Sequence, residues 1–322
     1  MSTQREQAHL KEKVSRELGE SMLGWLDDPQ VIDLMANPDG RVWLDTLDRG
    51  MVRTDLVLES TRIDMIIGTV AAYHGLVCNE ETPRLRAVLP LGGQRFQGGR
   101  PPVAPPFFTI RKHLPRVCTM QELIEQRTVT HEQSDLLLHT LSARKNLVIA
   151  GETLSGKTVL LDTLLSEMPR LFGPTVRLVT IEDTRELLVG VENKVCMEAT
   201  DHAPMRLLLQ DTMRHNPGHI IVGEVRGAEA IEMLKSWTTG HGGSACTLHA
   251  GNPQKALMRI ETAVEEGGMV ANPRRIVEAV DMVVMMERRA SNQWGVKEMA
   301  WVQGWRDGQY LLEPAIGGDH MS

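Results

Sequence analysis

One run of eight residues has the composition and spacing that phosphate binding requires. Glycine, lysine and threonine occupy every fixed position of the pattern G-x-x-x-x-G-K-[ST]. The run consists of Gly151, Glu152, Thr153, Leu154, Ser155, Gly156, Lys157 and Thr158. In such a loop, backbone N–H groups face phosphate oxygens, Lys157 reaches the β- and γ-phosphates, and the Thr158 hydroxyl binds Mg²⁺. This phosphate loop therefore predicts a site for a nucleoside triphosphate with Mg²⁺.

The flanking residues place the phosphate loop between a strand and a helix. Residues 147–150 are typical of a short buried strand, and apolar residues recur at helical spacing after the loop until Pro169, which we expect to end the helix. These apolar residues are Leu160, Leu161, Leu164, Leu165 and Met168. The alternative is a glycine-containing turn with an exposed lysine, but the order of strand, loop and helix favours phosphate binding.

Three later clusters follow strand-like runs and add groups that could act on a phosphate. Glu182 ends one apolar run, where a carboxylate could orient or deprotonate a water, and is the candidate base. Glu224 ends another and could support Mg²⁺ or the attacking water, with the Arg226 cation beside it for the phosphates. His249 follows a glycine-rich segment and could bond to a γ-phosphate or report its loss. Singly, each could be a solvated strand end or a structural histidine; together, downstream of the phosphate loop, they favour catalysis.

The composition narrows the class of protein. At 322 residues, with 42% apolar and 24% charged residues, the chain is long enough for two domains with cores of their own. A net charge of -7 argues against a protein that mainly coats nucleic acid, while direct nucleic-acid binding through a local basic patch stays open. Cys78, Cys118, Cys196 and Cys246 form no C-x-x-C pair, which disfavours zinc and fits a reducing compartment. Because we find no signal-like segment and no run of about 18 apolar residues, we expect a cytoplasmic protein.

The first hundred residues are typical of an α+β unit. Leu10, Val14, Leu18 and Met22 recur at helical spacing, and balanced charges favour a packed, solvated helix over a membrane-seeking one. Strand-like pieces follow at 31–35, 41–44 and 51–56. The glycine- and proline-rich segment 98–106 cannot continue a helix and suits a rim loop or a linker.

From about residue 145, strand-like runs alternate with helical patterns. The strand-like runs lie at 176–181, 219–222 and 244–248. Such alternation implies a parallel sheet covered by helices, the α/β class. We therefore predict an N-terminal α+β domain at 1–115, a linker and connecting helix at 116–144, and a phosphate-loop NTPase domain with a mostly parallel sheet at 145–322.

The order of these motifs resembles the Walker A, Asp box, Walker B and His box of the secretion ATPase superfamily. Walker A corresponds to 151–158, the Asp box to 180–187, Walker B to 214–230, and the His box to 239–242 with 247–250. The Walker B segment is the most distinctive. Segments 31–43, 93–96 and 108–112 are similar to the conjugal-transfer, TrbB-like branch of type IV secretion ATPases. The resemblance covers nearly the whole chain and implies a RecA-like ATPase domain that binds ATP and Mg²⁺.

The resemblance also implies an assembly. Members form hexameric rings that power substrate transfer or pilus assembly in a conjugation or type IV secretion apparatus. Their N-terminal domains form a second ring, and the ring docks on inner-membrane components at the cytoplasmic face of the inner membrane. ATP lies between the two domains of a subunit, so Arg111 and Arg95 would reach it from the N-terminal side, where an arginine can grip phosphate oxygens bidentately.

The chain departs from the family pattern at three places. Glu152 and Leu154 replace glycines of the phosphate loop, and a carboxylate near phosphate and a restricted backbone both predict weak nucleotide affinity or slow turnover. Gly218 replaces the aspartate that usually follows Pro217, which leaves the turn before the Walker B strand undetermined.

Three alternatives to a type IV secretion motor stay open. A type II secretion or pilus motor is disfavoured because the chain lacks a tetracysteine zinc module and has a short N-terminal domain. A RecA-like DNA helicase is disfavoured by the acidic balance and by the few aromatic residues for base stacking. A nucleotide-binding scaffold that hydrolyses ATP weakly is kept open by the altered phosphate loop.

Overall fold

The computed structural model describes residues 2–112, 117–200, 202–289 and 293–316, with side chains from residue 5 onward. The chain divides into two units, Met1–Pro115 and Arg116–Ser322, each built on its own sheet. The segment predicted as a linker and connecting helix, 116–144, falls within the second unit. Among the described residues, no helix combines the length and apolarity needed to cross a bilayer.

The first unit packs two helices on an antiparallel sheet. Its elements are α1 (Ser2–Asp27), β1 (Val31–Ala36), β2 (Arg41–Thr46), β3 (Gly50–Val57), α2 (Ser60–Tyr73), β4 (Arg84–Val88), β5 (Arg95–Gly99) and β6 (Phe107–Arg111). The strand order is β3-β2-β1-β6-β5-β4. Val14, Leu18 and Met22 of α1 are buried in one core with Phe96 and Phe108 of the sheet, as the helical spacing predicted. The α+β prediction for this region is therefore confirmed.

The proline-rich segment divides between a strand and a loop. Gly98 and Gly99 belong to β5, and residues 101–106 turn the chain into β6, which pairs with β5. Of the two predicted roles, the segment therefore has that of a loop of the first sheet rather than that of a linker between units.

A row of charged side chains crosses the middle of the first sheet. Asp33 on β1 is paired with Arg111 on β6, and Arg111 is paired in turn with Arg95 on β5. Arg111 Nε and Nη2 donate to the two oxygens of the buried Asp33 carboxylate at 2.9 and 2.8 Å. This bidentate pair compensates the desolvation of Asp33. The two arginines predicted to reach ATP therefore lie on neighbouring strands, and Arg111 is bound to an acid of its own sheet.

The second unit has a mostly parallel sheet. Its elements are α3 (Met120–Glu125), α4 (His131–Ser142), β7 (Leu147–Gly151), α5 (Lys157–Phe172), β8 (Leu178–Glu182), β9 (Lys194–Glu198), α6 (Met205–Thr212), β10 (His219–Val222), α7 (Glu229–Trp237), β11 (Ala245–Leu248), α8 (Pro253–Glu266), α9 (Pro273–Ala279), β12 (Met282–Arg288), β13 (Trp294–Arg306) and β14 (Gln309–Pro314). The strand order is β14-β13-β12-β7-β11-β10-β8-β9. All pairs from β12 to β9 are parallel, whereas β13 and β14 add an antiparallel edge. Every residue of β7, β8, β10 and β11 is buried, as expected for strands covered on both faces.

The prediction that Pro169 ends the helix after the phosphate loop is wrong. Helix α5 continues through Pro169 to Phe172. Proline has no N–H to give to the carbonyl of Leu165, but one further turn is held by tertiary packing. The Phe172 ring lies 4.3 Å from the ring of His219, and the Arg144 guanidinium lies 5.4 Å from its centroid. Packing of Phe172 therefore outweighs the lost backbone hydrogen bond.

The Asp33–Arg111 pair is expected to stabilise the first unit. Replacing Arg111 with Met (Arg111→Met) leaves a buried carboxylate without its partner, so we expect the free energy of unfolding to fall by about 2 kcal/mol. Arg41→Met is the matched control because Arg41 pairs with Asp39 on the surface, where both side chains are about half exposed. We expect the control to change stability by less than about 0.5 kcal/mol. Urea unfolding of the full chain measures both values, and equal effects would contradict the assignment.

Candidate active site

The site lies where four parallel strands end at one edge of the second sheet. Gly151 ends β7 and Glu182 ends β8. Glu224 follows β10 after one intervening residue, and His249 follows β11 directly. The strands are in register, with Val222 beside Ile181 and Leu248 beside Ala150. Because the carboxyl ends of parallel strands meet at one edge, the register brings the four predicted groups together.

Two glycines of the phosphate loop meet conditions that no other residue satisfies. A Cβ on Gly151 would lie 2.4 Å from the carbonyl oxygen of Met286 on the neighbouring strand. Gly156 has φ 85, the left-handed region, and a Cβ there would lie 2.8 Å from the Trp294 ring. Both positions therefore require glycine, and Gly156 turns the chain into α5, whose first residue is Lys157.

The Lys157 ammonium is held at the centre of the loop. Its Nζ donates to the carbonyl oxygens of Gly151 at 3.0 Å and Glu152 at 2.7 Å, and lies 3.4 Å from His249 Nδ1. Burial lowers the pKa of Lys157 to about 8, and the nearby Glu224 carboxylate opposes that shift. An ammonium that is buried without full solvation interacts strongly with an anion, which suits a phosphate ligand.

A chain of charged contacts continues from Lys157 to the Walker B acid. His249 Nε2 lies 2.7 Å from Glu224 Oε1, and Arg226 Nη2 donates to Glu224 Oε2 at 2.5 Å. Arg226 Nη1 also lies 3.4 Å from Asp183 Oδ2. Burial and the Lys157 cation lower the pKa of His249, so the imidazole is kept neutral between two cations and one acid. The structure thus joins Lys157, His249, Glu224 and Arg226 in one network.

Glu182 is more deeply buried than Glu224 and has different partners. Its side chain is 4% exposed, and Oε1 accepts the backbone N–H groups of Glu186 at 2.8 Å and Leu187 at 2.9 Å. Burial raises the pKa of Glu182 to about 7, while the two N–H bonds act in the opposite direction. A Cβ on Gly223 would lie 2.7 Å from Glu182 Cγ, so glycine lets this acid pack against the Walker B strand.

One functional residue was not found from the sequence. The buried Glu229 accepts the N–H groups of Arg226 at 2.5 Å and Gly227 at 2.8 Å through Oε1. It therefore fixes the backbone that carries Arg226, and as an acid in the first turn of α7 it also suits the helix dipole. The signal was a glutamate in the first turn of the helix that follows β10 after six residues.

The turn left undetermined by Gly218 is well defined in the structure. Gly218 and His219 both donate their N–H groups to the Arg177 carbonyl oxygen, and a Cβ on Gly218 would lie 2.9 Å from that oxygen. His219 is buried at the start of β10, with Nδ1 2.9 Å from the Gly243 oxygen, and burial lowers its pKa to about 4. Glycine therefore allows a close approach of two chain segments, and His219 is a neutral core residue.

The two departures within the phosphate loop differ in their geometry. Glu152 is exposed, so solvent screens its carboxylate. Leu154 has φ 60, the left-handed region, which costs a residue with a side chain about 1 kcal/mol or more. Thr158 is partly exposed in the first turn of α5, and Ser155 is buried beside Gly151. The roles of Arg111 and Arg95, which lie in the first unit, stay predictions.

Comparison with known proteins decides the family. A family model described as Type II/IV secretion system protein matches residues 101–301. The chain belongs to this family. Conjugal transfer protein TrbB of Rhizobium radiobacter is 35% identical to it over 314 residues, which cover 97% of this chain and 96% of that protein.

Two further relatives extend the comparison. Type IV secretion system protein PtlH of Bordetella pertussis is 29% identical over 309 residues, with 83% of this chain and 88% of that protein covered. The X-ray structure of the Legionella pneumophila ATPase DotB superposes with a TM-score of 0.64 at 16% identity, over 87% of this chain and 79% of that chain. The predicted RecA-like secretion ATPase fold and the TrbB-like resemblance of this Type II/IV secretion system protein are confirmed, and membership of the family implies nucleotide binding.

Leu154, rather than Glu152, is expected to weaken nucleotide binding by this Type II/IV secretion system protein. A strained loop can relax while no phosphate holds it, so the strain falls mainly on the bound state. We expect Leu154→Gly to tighten ATP binding by about 1 kcal/mol, or fivefold, and Glu152→Gly to change it less than about twofold. Calorimetry at fixed Mg²⁺ and salt measures both. Equal gains would show that the carboxylate contributes as much as the backbone strain, and a gain from Glu152→Gly alone would show that the carboxylate is the cause.

Proposed function

We propose that this protein hydrolyses ATP with Mg²⁺ and that hydrolysis powers substrate transfer or pilus assembly in a conjugation or type IV secretion apparatus. The observation that supports this most directly is the network of Lys157, His249, Glu224 and Arg226 at the edge of the parallel sheet. It joins the phosphate loop to the Walker B acid, so the group that holds phosphate and the group that handles metal or water respond to one another.

The phosphate loop fits a triphosphate. Buried Ser155 Oγ has no hydrogen-bond partner within the described part of the chain, which leaves a hydroxyl that a phosphate oxygen could satisfy. Lys157 Nζ, which now donates to two loop carbonyls, can exchange these partners for phosphate oxygens. The N-terminus of the 16-residue helix α5 adds N–H groups and a favourable dipole for the same anion.

The residues present also fit Mg²⁺ held jointly with the nucleotide. Within the described residues, no cluster of three His, Cys, Asp or Glu side chains could hold a metal alone. Mg²⁺ commonly combines one or two protein oxygens with waters and phosphate oxygens, and Thr158 Oγ1 and Glu224 are proposed to supply the protein oxygens here. When bound, the ion would neutralise charge that develops on the phosphates.

Glu182 suits the role of the base. Oε1 is held by two N–H groups, while Oε2 accepts no hydrogen bond from the described residues. With a pKa near 7, the carboxylate is deprotonated above neutral pH yet basic enough to take a proton. Water would give its proton to Oε2 as its oxygen bonds to the γ-phosphorus and ADP leaves. His249, between Lys157 and Glu224, is proposed to sense the γ-phosphate.

The relatives support an assembly that the site alone does not reveal. Proteins named as conjugal transfer and type IV secretion components are similar to this chain over most of their length. We propose a homo-hexamer that is docked at the cytoplasmic face of the inner membrane on other components of the apparatus. A mass of six chains in solution with ATP would support the ring, and a monomer at all concentrations would refute it.

Lys157→Ala tests the ATPase. Loss of the ammonium on the β- and γ-phosphates is expected to lower turnover at least about 100-fold while the fold is retained. Lys145→Ala is the matched control, because Lys145 pairs with Asp281 outside the phosphate network. Turnover is measured with and without DNA. Turnover that requires DNA would favour a helicase, and absence of turnover in the parent would favour a scaffold.

The raised pKa of Glu182 predicts an acidic limit to activity. As pH falls through about 7, the base becomes protonated and kcat should fall with it. Glu182→Gln should lower kcat at least about 100-fold, change ATP binding less than about threefold, and abolish this pH dependence in the residual rate. Glu192→Gln, an exposed acid after the same strand, is the control. Full activity of Glu182→Gln would remove Glu182 from the mechanism.

A further inference from the structure

Asp162 is a buried acid on the helix that begins with Lys157, and the mechanism above does not use it. It is 6% exposed and is surrounded in sequence by the buried residues Leu160, Leu161, Leu164 and Leu165. Its Oδ1 accepts the N–H of Leu188 at 2.9 Å. A carboxylate among buried leucines is costly to desolvate, and burial raises its pKa to about 7. A buried acid of this kind lowers the stability of the fold.

The partner of Asp162 lies in the same segment that holds Glu182. The N–H groups of three consecutive residues, Glu186, Leu187 and Leu188, point to two carboxylates. Glu182 Oε1 takes the first two, and Asp162 Oδ1 takes the third. The segment 183–191 has neither helix nor strand, so no backbone ladder fixes it. These three hydrogen bonds are the ones that the segment makes to carboxylates, and they act together with the contacts of Arg185 to the Cys196 oxygen and of Lys194 to the Val189 oxygen. The buried side chains of Leu187, Val189 and Val191 also hold the segment in place.

The two carboxylates join the segment to the two elements that matter for catalysis. Glu182 ends β8, and Asp162 lies on α5, four residues beyond Thr158. The N–H groups that hold Glu182 Oε1 belong to the residues one and two positions before Leu188. The hydrogen bond between Asp162 and Leu188 is therefore adjacent in the chain to the two that orient Glu182.

We infer that Asp162 is a positioning residue for Glu182, which it holds by fixing segment 183–191 to the helix of the phosphate loop. This inference rests on the proposed role of Glu182 as the base. The charged groups that act on Asp162 are the acids Glu182 and Glu186, whereas Arg185 of the same segment donates to the Cys196 carbonyl oxygen at 2.9 Å, so no cation accounts for the buried acid.

Substitutions that remove or keep the acceptor test the inference. Asp162→Ala and Asp162→Leu both remove it, and Leu fills the volume on an apolar helix face if Ala fails to fold. We expect kcat to fall about tenfold or more with KM for ATP within about twofold, because a small displacement of a base affects the chemical step. Asp162→Asn keeps an oxygen acceptor and should retain kcat within about threefold.

A matched control and a double variant separate positioning from general stability. Asp281 accepts the backbone N–H of Asn146 at 2.8 Å, just before β7 and so at the amino-terminal ends of the parallel strands, away from the site. Asp281→Ala therefore removes the same kind of contact and should leave kcat unchanged. In a Glu182→Gln background, Asp162→Leu should cause no further loss, since both act through one group.

Each outcome of these measurements decides the inference. Additive losses in the double variant, full kcat in both Ala and Leu variants, or an Asn variant as slow as Leu would overturn it. If Glu182→Gln is inactive while Asp162→Leu is fully active, the role of Asp162 fails and the proposed base stands. Full activity of Glu182→Gln itself would refute the base and the positioning role together.

Discussion

Parallel pairing in one register is the constraint on which the site depends. β7 and β11 pair with Ala150 beside Leu248, and β8 and β10 pair with Ile181 beside Val222. Val222 lies beside Cys246, two residues before Leu248, so the four strands end within about two residues of one another. Each strand is fully buried, so a slip of one residue would move apolar side chains out of the core as well as the groups that follow them. The packing of the sheet therefore places the phosphate loop, both acids and the histidine together.

Burial then determines the chemistry of the gathered groups. It lowers the pKa of Lys157 and raises that of Glu182 and Asp162, and partial burial lowers that of the half-exposed His249. The shifts are tolerated because each group has specific partners, such as loop carbonyls for Lys157 and backbone N–H groups for Glu182. Placing these groups next to one another lowers the stability of the fold and yields groups that change charge near neutral pH.

The sequence predicted what depends on local pattern and missed what depends on tertiary contact. The phosphate-loop pattern and the apolar runs before Glu182 and Glu224 predicted the local structure, since the loop lies between β7 and α5, Glu182 ends β8 and Glu224 follows β10 after one intervening residue. Continuation of α5 past Pro169 depends on Phe172 meeting His219, residues 47 positions apart in the chain, and no local pattern reveals that contact. The antiparallel strands β13 and β14 were likewise not predicted. They extend the parallel sheet beyond β12, and the alternation of strands and helices that predicted the parallel part does not continue there. Asp162 and Glu229 carry no motif because they act on backbone N–H groups.

The same backbone contacts explain how the acids can differ in role although both follow apolar strands. Glu182 is held by N–H groups, which favour its charged form weakly and leave Oε2 for a proton transfer. Glu224 has different neighbours, because Arg226 donates to its Oε2 and the His249 ring nitrogen Nε2 lies 2.7 Å from its Oε1. A carboxylate that is paired with a guanidinium and lies beside an imidazole suits the binding of a metal ion or the sensing of charge. Environment rather than position in the motif thus favours Glu182 for proton transfer and Glu224 for binding or sensing charge. Arg226 contacts both Glu224 and Asp183, so it joins the Walker B segment to the residue that directly follows Glu182.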